Sequence, residues 1–164
     1  MRIIITSLYG NPLHSGHISY LEEARKLGDE LWVIVNNDKQ ALLKKGFSFL
    51  PLSERMSIIE SLRCVDLAFP SIDEDLSVSK TLDSILNNYK LEIFENMWYF
   101  SFANGGDVTS SRESEVCKKY GVNEIFGVGK DKVVSSTDFL EKHAIYVRKE
   151  LVKTAGNLLQ GLRQ

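Results

Sequence analysis

The chain predicts an α/β fold: a doubly wound, parallel five-stranded sheet with helices on both faces and a long C-terminal helix. Three observations carry this. Short apolar runs rich in β-branched residues alternate with stretches of helical periodicity. The first such run passes through small residues directly into a helical pattern. The polar and glycine-bearing motifs fall at the carboxyl ends of the strand candidates, where ligands bind in sheets of this kind.

Residues 2–8 (RIIITSL) read as a buried strand. Ile18, Leu21, Ala24 and Leu27 then recur at helical spacing over 16–27, and Gly28 offers a stop. A second strand follows at 31–36 (LWVIVN). Segment 38–51 breaks the alternation and is expected to be a loop over the site. A helix over 52–62, with Ser53 as its cap, leads to a third strand at 65–69. A helix over 77–87 follows, and 89–96 is expected to be an extended loop or an extra short strand. The fourth strand is placed at 97–103 (MWYFSFA) and the fifth at 123–128 (NEIFGV). Between them Ser110-x-x-Glu113 reads as a capping box for a helix over 111–120, with Gly121 as its stop. The last helix begins near 137. The chain divides into a main unit over 1–140 and a helical extension over 141–164, where Phe139, Val147, Leu151, Leu158 and Leu162 fall near one stripe.

With 164 residues there is room for one domain with a sizeable core. A net charge of −2 gives no global attraction to nucleic acid or an anionic membrane, so any phosphate binding must come from a local pocket, which favours a small ligand. No apolar run approaches the length of a membrane span, and a strand at the very start leaves no room for a targeting peptide. Cys64 and Cys117 are expected to be free buried thiols, with a reducing cytoplasm as the default compartment.

The run Asn11-Pro12-Leu13-His14-Ser15-Gly16-His17 lies between the first strand and first helix. A helix opening at such a turn points unpaired N–H groups at it, a favourable place for an anion. His14 and His17 can donate there to phosphate oxygens, and Gly16 lets a ligand approach the backbone. Local hydrogen bonding of two turn histidines is the competing account. Lys44 and Lys45 can supply a point charge, or form a solvated basic loop. Arg55, a cation in the first turn of its helix, sits unfavourably in the helix dipole, which a facing phosphate explains; pairing with Glu54 or another carboxylate is the alternative. Gly105-Gly106-Asp107 ends a strand and can approach a base or ribose, or be an ordinary turn. Ser135-Ser136-Thr137 opens the last helix and can seat phosphates, cap the helix, or do both, whereas His143 inside that helix belongs to packing or surface.

These residues carry a resemblance. His14-x-Gly16-His17 after a first strand is similar to the signature of the HxGH nucleotidyltransferase superfamily, which includes glycerol-3-phosphate cytidylyltransferases, heptose-phosphate adenylyltransferases and nicotinate-nucleotide adenylyltransferases. HISYLEEARKLGDELWVIVNND resembles the family's first helix and second strand, LPLSERMSIIESLRCVD the segment supplying Arg55, ANGGD its Gly-Gly-Asp, and VSST its Ile-Ser-Ser/Thr-Thr motif. The resemblance covers residues 1 to about 140 in order.

It implies a Rossmann-like fold and attack of an acceptor phosphate on the α-phosphate of ATP or CTP, releasing pyrophosphate. The acceptor would be a small sugar phosphate, glycerol phosphate or amino-alcohol phosphate. His14, His17, Lys45 and Arg55 take the catalytic roles. Tyr9, Gly10, Asn11, Gly16, Gly105, Asp107, Lys130, Ser135, Ser136 and Thr137 take the nucleotide-binding ones. Mg²⁺ would be held mainly by the triphosphate, since no protein carboxylate cluster is visible. The family adds the possibility of a homodimer. Three positions depart from the cytidylyltransferase pattern. Gly10-Asn11 replaces an aromatic and an aspartate, in a style closer to the adenylyltransferases, and Lys130 stands nearest the place of the last motif's arginine. Those departures motivate the alternative of a nucleotide-binding module without catalysis, serving regulation or assembly. A class I aminoacyl-tRNA synthetase fragment is a third reading, disfavoured because the chain lacks that group's lysine-rich signature.

Overall fold

The computed structural model describes residues 1–106 and 108–129, together with 142 and 144. Asp107, Lys130, Ser135, Ser136, Thr137, His143 and the long C-terminal helix expected from 137 lie outside the described residues. Within them the order is β1 (Arg2–Leu8), α1 (Ser15–Arg25), β2 (Glu30–Val35), α2 (Asp38–Lys45), α3 (Leu52–Glu60), β3 (Leu67–Pro70), α4 (Ser79–Asn88), α5 (Lys90–Phe94), β4 (Tyr99–Gly105), α6 (Ser114–Tyr120) and β5 (Asn123–Val128).

All five strands are parallel and stand in the order β3-β2-β1-β4-β5. The chain winds outward from β1 through β2 to β3, returns to β1's other side, and winds outward again through β4 and β5. The strand order therefore reverses between β1 and β4, which opens a crevice at their carboxyl ends. Parallel central strands are covered on both faces, hence their near-continuous apolar sequence. On one face Ile3, Ile5, Trp32 and Phe102 pack with Leu82 and Leu86 of α4, and α6 adds Cys117. On the other, Ile4, Val33 and Ala103 meet Leu21 and Ala24 of α1 and Ile59 of α3.

The structure corrects four local expectations. Segment 38–51 is not all loop, because Asn37 opens α2: its Oδ1 accepts from the Gln40 N–H at 2.9 Å, and Gln40 Oε1 accepts from the Asn37 N–H at 3.0 Å. Gly46, at φ 78°, closes that helix. Residues 89–96 contain the short helix α5, neither an extended loop nor a strand. Ser53 does not cap α3, since Pro51 occupies the cap position and offers no side-chain acceptor. The box at Ser110 and Glu113 does not form: α6 begins at Ser114, and Glu113 instead accepts from the Val78 N–H at 2.8 Å, tying the start of α6 to that of α4. The two cysteines are free, Cys117 buried and Cys64 half-buried.

The turn between α1 and β2 shows how closely the layers meet. Asp29 Oδ2 accepts from the Arg2 N–H at 2.6 Å, and the Asp29 N–H donates to the Arg2 carbonyl at 2.7 Å. A Cβ on Gly28 would lie 2.7 Å from Ile4 Cγ1 and 2.8 Å from the Arg2 carbonyl oxygen. Since one of those neighbours is backbone, Gly28→Ala is expected to lower unfolding free energy by about 1–3 kcal/mol, read by chemical denaturation.

Candidate active site at the carboxyl edge of the sheet

Helix α1 starts with an unusual cap. His14 is the N-cap residue, only 9% exposed, and its Nδ1 accepts from the Gly16 N–H at 3.1 Å. His17, three residues on, returns the interaction: its Nδ1 accepts from the His14 N–H at 3.3 Å. The rings lie 3.8 Å apart, centroid to centroid. This is a capping box made of imidazoles in place of the usual serine and glutamate. With Nδ1 accepting in both rings, the neutral tautomer of each carries its proton on Nε2 and acts as a donor from that atom. The local hydrogen bonding that the sequence offers as one account of these histidines thus forms through Nδ1 of each ring.

Arg55 makes the pairing with a carboxylate other than Glu54 that the sequence offers as one account of it. Its side chain is fully buried. Nη1 donates to the carbonyls of Tyr9 at 2.7 Å and Asn36 at 2.6 Å, Nε to the carbonyl of Leu50 at 3.0 Å, and Nη2 to Asp38 Oδ1 at 2.6 Å. The guanidinium therefore holds the ends of β1 and β2 and the approach to α3 together, and these donors face protein carbonyls and a carboxylate. Asp38 completes the knot by accepting from the Leu52 N–H at 3.1 Å and the Ser48 hydroxyl at 3.1 Å. Burial pushes the Asp38 carboxyl up, but the bonds from Arg55, Leu52 and Ser48 outweigh that and hold it below the usual aspartate range.

Asn11, 1% exposed, is likewise turned inward: Oδ1 accepts from the N–H groups of Phe49 at 2.6 Å and Leu50 at 3.3 Å, and Nδ2 donates to the Phe47 carbonyl at 3.3 Å. Gly10 has φ 54°, and a Cβ there would come within 3.1 Å of Leu8 Cδ1, so the aromatic residue of the cytidylyltransferase pattern does not fit this backbone. Tyr9, half-buried, carries Lys44 Nζ 4.1 Å from its ring centroid. Burial raises the Tyr9 phenol, Arg112 opposes that, and Asp75 and Glu113 add to it, so charges from the loops before α4 and α6 share this corner. Of the two adjacent lysines it is Lys44, rather than Lys45, that the structure places over Tyr9.

The loops are joined further by residues the sequence reading passed over. Asn37 Nδ2 donates to the carbonyls of Ser71 at 3.0 Å and Asp73 at 2.7 Å, and Gln40 Nε2 to those of Asp75 at 2.7 Å and Ser77 at 2.6 Å. The Asn37-x-x-Gln40 spacing was the available signal. At the end of β4, Gly105 rests on the Tyr20 ring. Burial pushes that phenol up to about 12, against the opposing hydrogen bond with Thr6, so it stays protonated at neutral pH. Neighbouring Asn104 carries the buried side-chain nitrogen, Nδ2, that has no partner among the described residues. The structure thus gathers His14, His17, Gly16, Tyr9, Gly10, Asn11, Arg55 and Gly105 at one edge of the sheet, with Arg55 and Asn11 as its framework.

A family model described as cytidylyltransferase-like matches residues 11–155. The chain is 38% identical over 118 residues to bifunctional protein HldE of Photorhabdus laumondii, covering 65% of this chain and 24% of that protein. It is 46% identical over 67 residues to FAD synthase of Methanocorpusculum labreanum, covering 41% of this chain and 46% of the synthase. It spans about a quarter of the HldE relative and under half of the synthase. Among solved structures, the lipopolysaccharide core biosynthesis protein of Thermoplasma volcanium superposes with a TM-score of 0.59 at 25% identity, over 79% of this chain and 98% of that one.

The Arg55 knot has a stability signature that needs no ligand. Arg55→Met strands three carbonyls and is expected to cost roughly 2–5 kcal/mol of unfolding free energy. Asp38 is depressed in the folded state, so its share is fully present above the ordinary aspartate pKa of about 3.9 and is lost as pH falls through the lower folded value. The gap between wild type and Arg55→Met is therefore expected to narrow in acid, as urea titrations at neutral pH and below pH 4 would show.

Proposed function

The chain belongs to the cytidylyltransferase-like family, and from that membership we propose that it transfers AMP or CMP from ATP or CTP to a small phosphorylated acceptor. An acceptor phosphate oxygen attacks the α-phosphorus, a new P–O bond forms, the α–β bridge breaks, and pyrophosphate leaves with the bridging electrons. The observation that carries this reading is the imidazole capping box at the start of α1, beside the crevice between β1 and β4. Negative charge moves onto the leaving phosphates during the step. Two Nε2–H donors and the α1 N-terminus stabilise charge developing there without reorganising.

Lys44, over Tyr9, is the loop cation we assign to the phosphates in place of Lys45. Arg55 acts by holding the Tyr9 loop in place. Arg112, with Asp75 and the Tyr9 phenol nearby, suits the phosphate and a hydroxyl or amine of an acceptor such as a sugar phosphate, glycerol phosphate or amino-alcohol phosphate. Gly105 and Asp107 are assigned to the base and ribose, and Lys130 with Ser135, Ser136 and Thr137 to the β- and γ-phosphates, on their match to the family's motifs. The described residues hold no cluster of three or more His, Cys, Asp or Glu side chains suited to a metal ion. In this reading Mg²⁺ is held mainly by the triphosphate, where it neutralises phosphate charge. No helix of the described residues is long and apolar enough to cross a membrane.

Cap-preserving substitutions separate helix capping from chemistry. His14→Asn retains a good N-cap and His17→Gln retains a capping-box partner, so each is expected to change stability by less than about 1 kcal/mol. Each removes an Nε2–H donor and is expected to slow pyrophosphate release by about 10²–10³-fold. The assay pairs ATP and CTP with sugar phosphates, glycerol phosphate and phosphocholine. Turnover surviving both substitutions would refute the assignment. Nucleotide binding without turnover across the whole panel would identify a binding module instead.

A further inference from the structure

Asn104 stands at the carboxyl end of β4, the strand next to β1 at the reversal of strand order. Phe100 and Phe102 face the α4–α6 layer while Ala103 faces the α1 layer, so alternation puts Asn104 on the α4–α6 side, just past that core's apolar end. Its Nδ2 is buried and lacks an acceptor among the described residues. A buried amide donor left unpaired is costly, and native proteins keep few of them.

The backbone on either side of Asn104 is held by its neighbours. The Tyr20 hydroxyl and Thr6 Oγ1 lie 2.9 and 3.0 Å from the Ala103 carbonyl and against each other, so one of the two donates to the carbonyl while the other can donate to its neighbour. On the other side Gly105 lies against Tyr20, where a Cβ would fall 2.8 Å from ring carbon Cε2. Opposite Asn104 the register with β5 shifts: Ala103 pairs with Ile125 and Gly105 with Val128, so two residues, Phe126 and Gly127, face the one. Gly127 takes φ 72° there. A bulge of this kind re-aims side chains beside functional sites.

We propose that Asn104 reads the base of the bound nucleotide, donating from Nδ2 to a ring nitrogen that lies beside an exocyclic amino group. Adenine and cytosine share that arrangement, whereas guanine and uracil present a ring N–H at the equivalent place and repel the donor. Tyr20 and Thr6 are its positioning residues. The inference rests on the nucleotidylyl-transfer reading and names the group that restricts its donor to ATP or CTP.

Calorimetric titration with ATP, CTP, GTP and UTP, set beside the thermal midpoint without nucleotide, tests it. For Asn104→Ala the two readouts are expected to move in opposite senses: the midpoint rises because the unpaired donor is gone, and ATP or CTP affinity falls by about tenfold or more. Asn104→Asp replaces the donor by an acceptor and is expected to shift preference toward GTP. Tyr20→Phe is expected to narrow the discrimination between ATP or CTP and GTP or UTP while phosphate-only binding of pyrophosphate stays as in wild type. Wild-type binding with an unchanged Asn104→Ala affinity and base preference overturns the inference alone. Failure of the wild type to bind any of the four nucleotides overturns the inference and the reading beneath it together.

Discussion

The site depends on one buried cation. Taking a guanidinium out of water costs several kcal/mol unless its donors are satisfied and its charge is opposed. Arg55 meets both conditions, with carbonyls from three separate loops and the carboxylate of Asp38. The requirement also works in reverse. Because the cation is stable only when all partners converge, burying it fixes the relative positions of Tyr9, Asn36, Leu50 and the start of α3. Asn37 and Gln40 extend the same framework to the 71–78 segment, and Glu113 joins that segment to α6. The loops at the carboxyl edge thereby behave as one body.

This division has an electrostatic consequence. Asp38 largely offsets the charge of Arg55, so the guanidinium contributes little field to a polyphosphate above it. In the proposed reading, Lys44 over Tyr9, Arg112 near the Tyr9 phenol and the N-terminus of α1 supply the attraction for a triphosphate. In a chain of net charge −2 such local focusing is the available route to binding an anion.

The strands were legible because central parallel strands must be apolar on both faces, and runs such as RIIITSL and LWVIVN have no other comfortable home. Strand ends drifted where the turns carry no strong breaker. β4 runs to Gly105 rather than Ala103, since its last residues are held by Tyr20 and the β5 bulge, neither of which has a local signature. Helix α2 is announced by Asn37, Gln40 and Gly46, but segment 38–51 breaks the strand–helix alternation and so reads as a loop. For Arg55 the sequence showed a real anomaly, a cation in the first turn of a helix, and offered a carboxylate partner, which Asp38 supplies, but not the rest of its resolution. The partners that resolve it are mostly backbone carbonyls distant in sequence, and every residue type has one.

The paired histidines show how one spacing can serve a structural reading and a chemical one at the same time. A capping box requires an acceptor at the N-cap position and another three residues later. Two imidazoles meet that requirement with their Nδ1 atoms, which places the proton of each neutral ring on Nε2. Serine and glutamate would cap the helix equally well and contribute no such donors. What distinguishes the chemical reading from the structural one is therefore residue type, not spacing. Asn104 presents the complementary case: its type is ordinary, and only the surrounding backbone, tied by Tyr20, Thr6 and the β5 bulge, leaves its amide without a partner inside the described fold. In the first case the feature is written in the sequence because it coincides with what the helix needs. In the second it emerges from a local cost that the described fold does not relieve by itself.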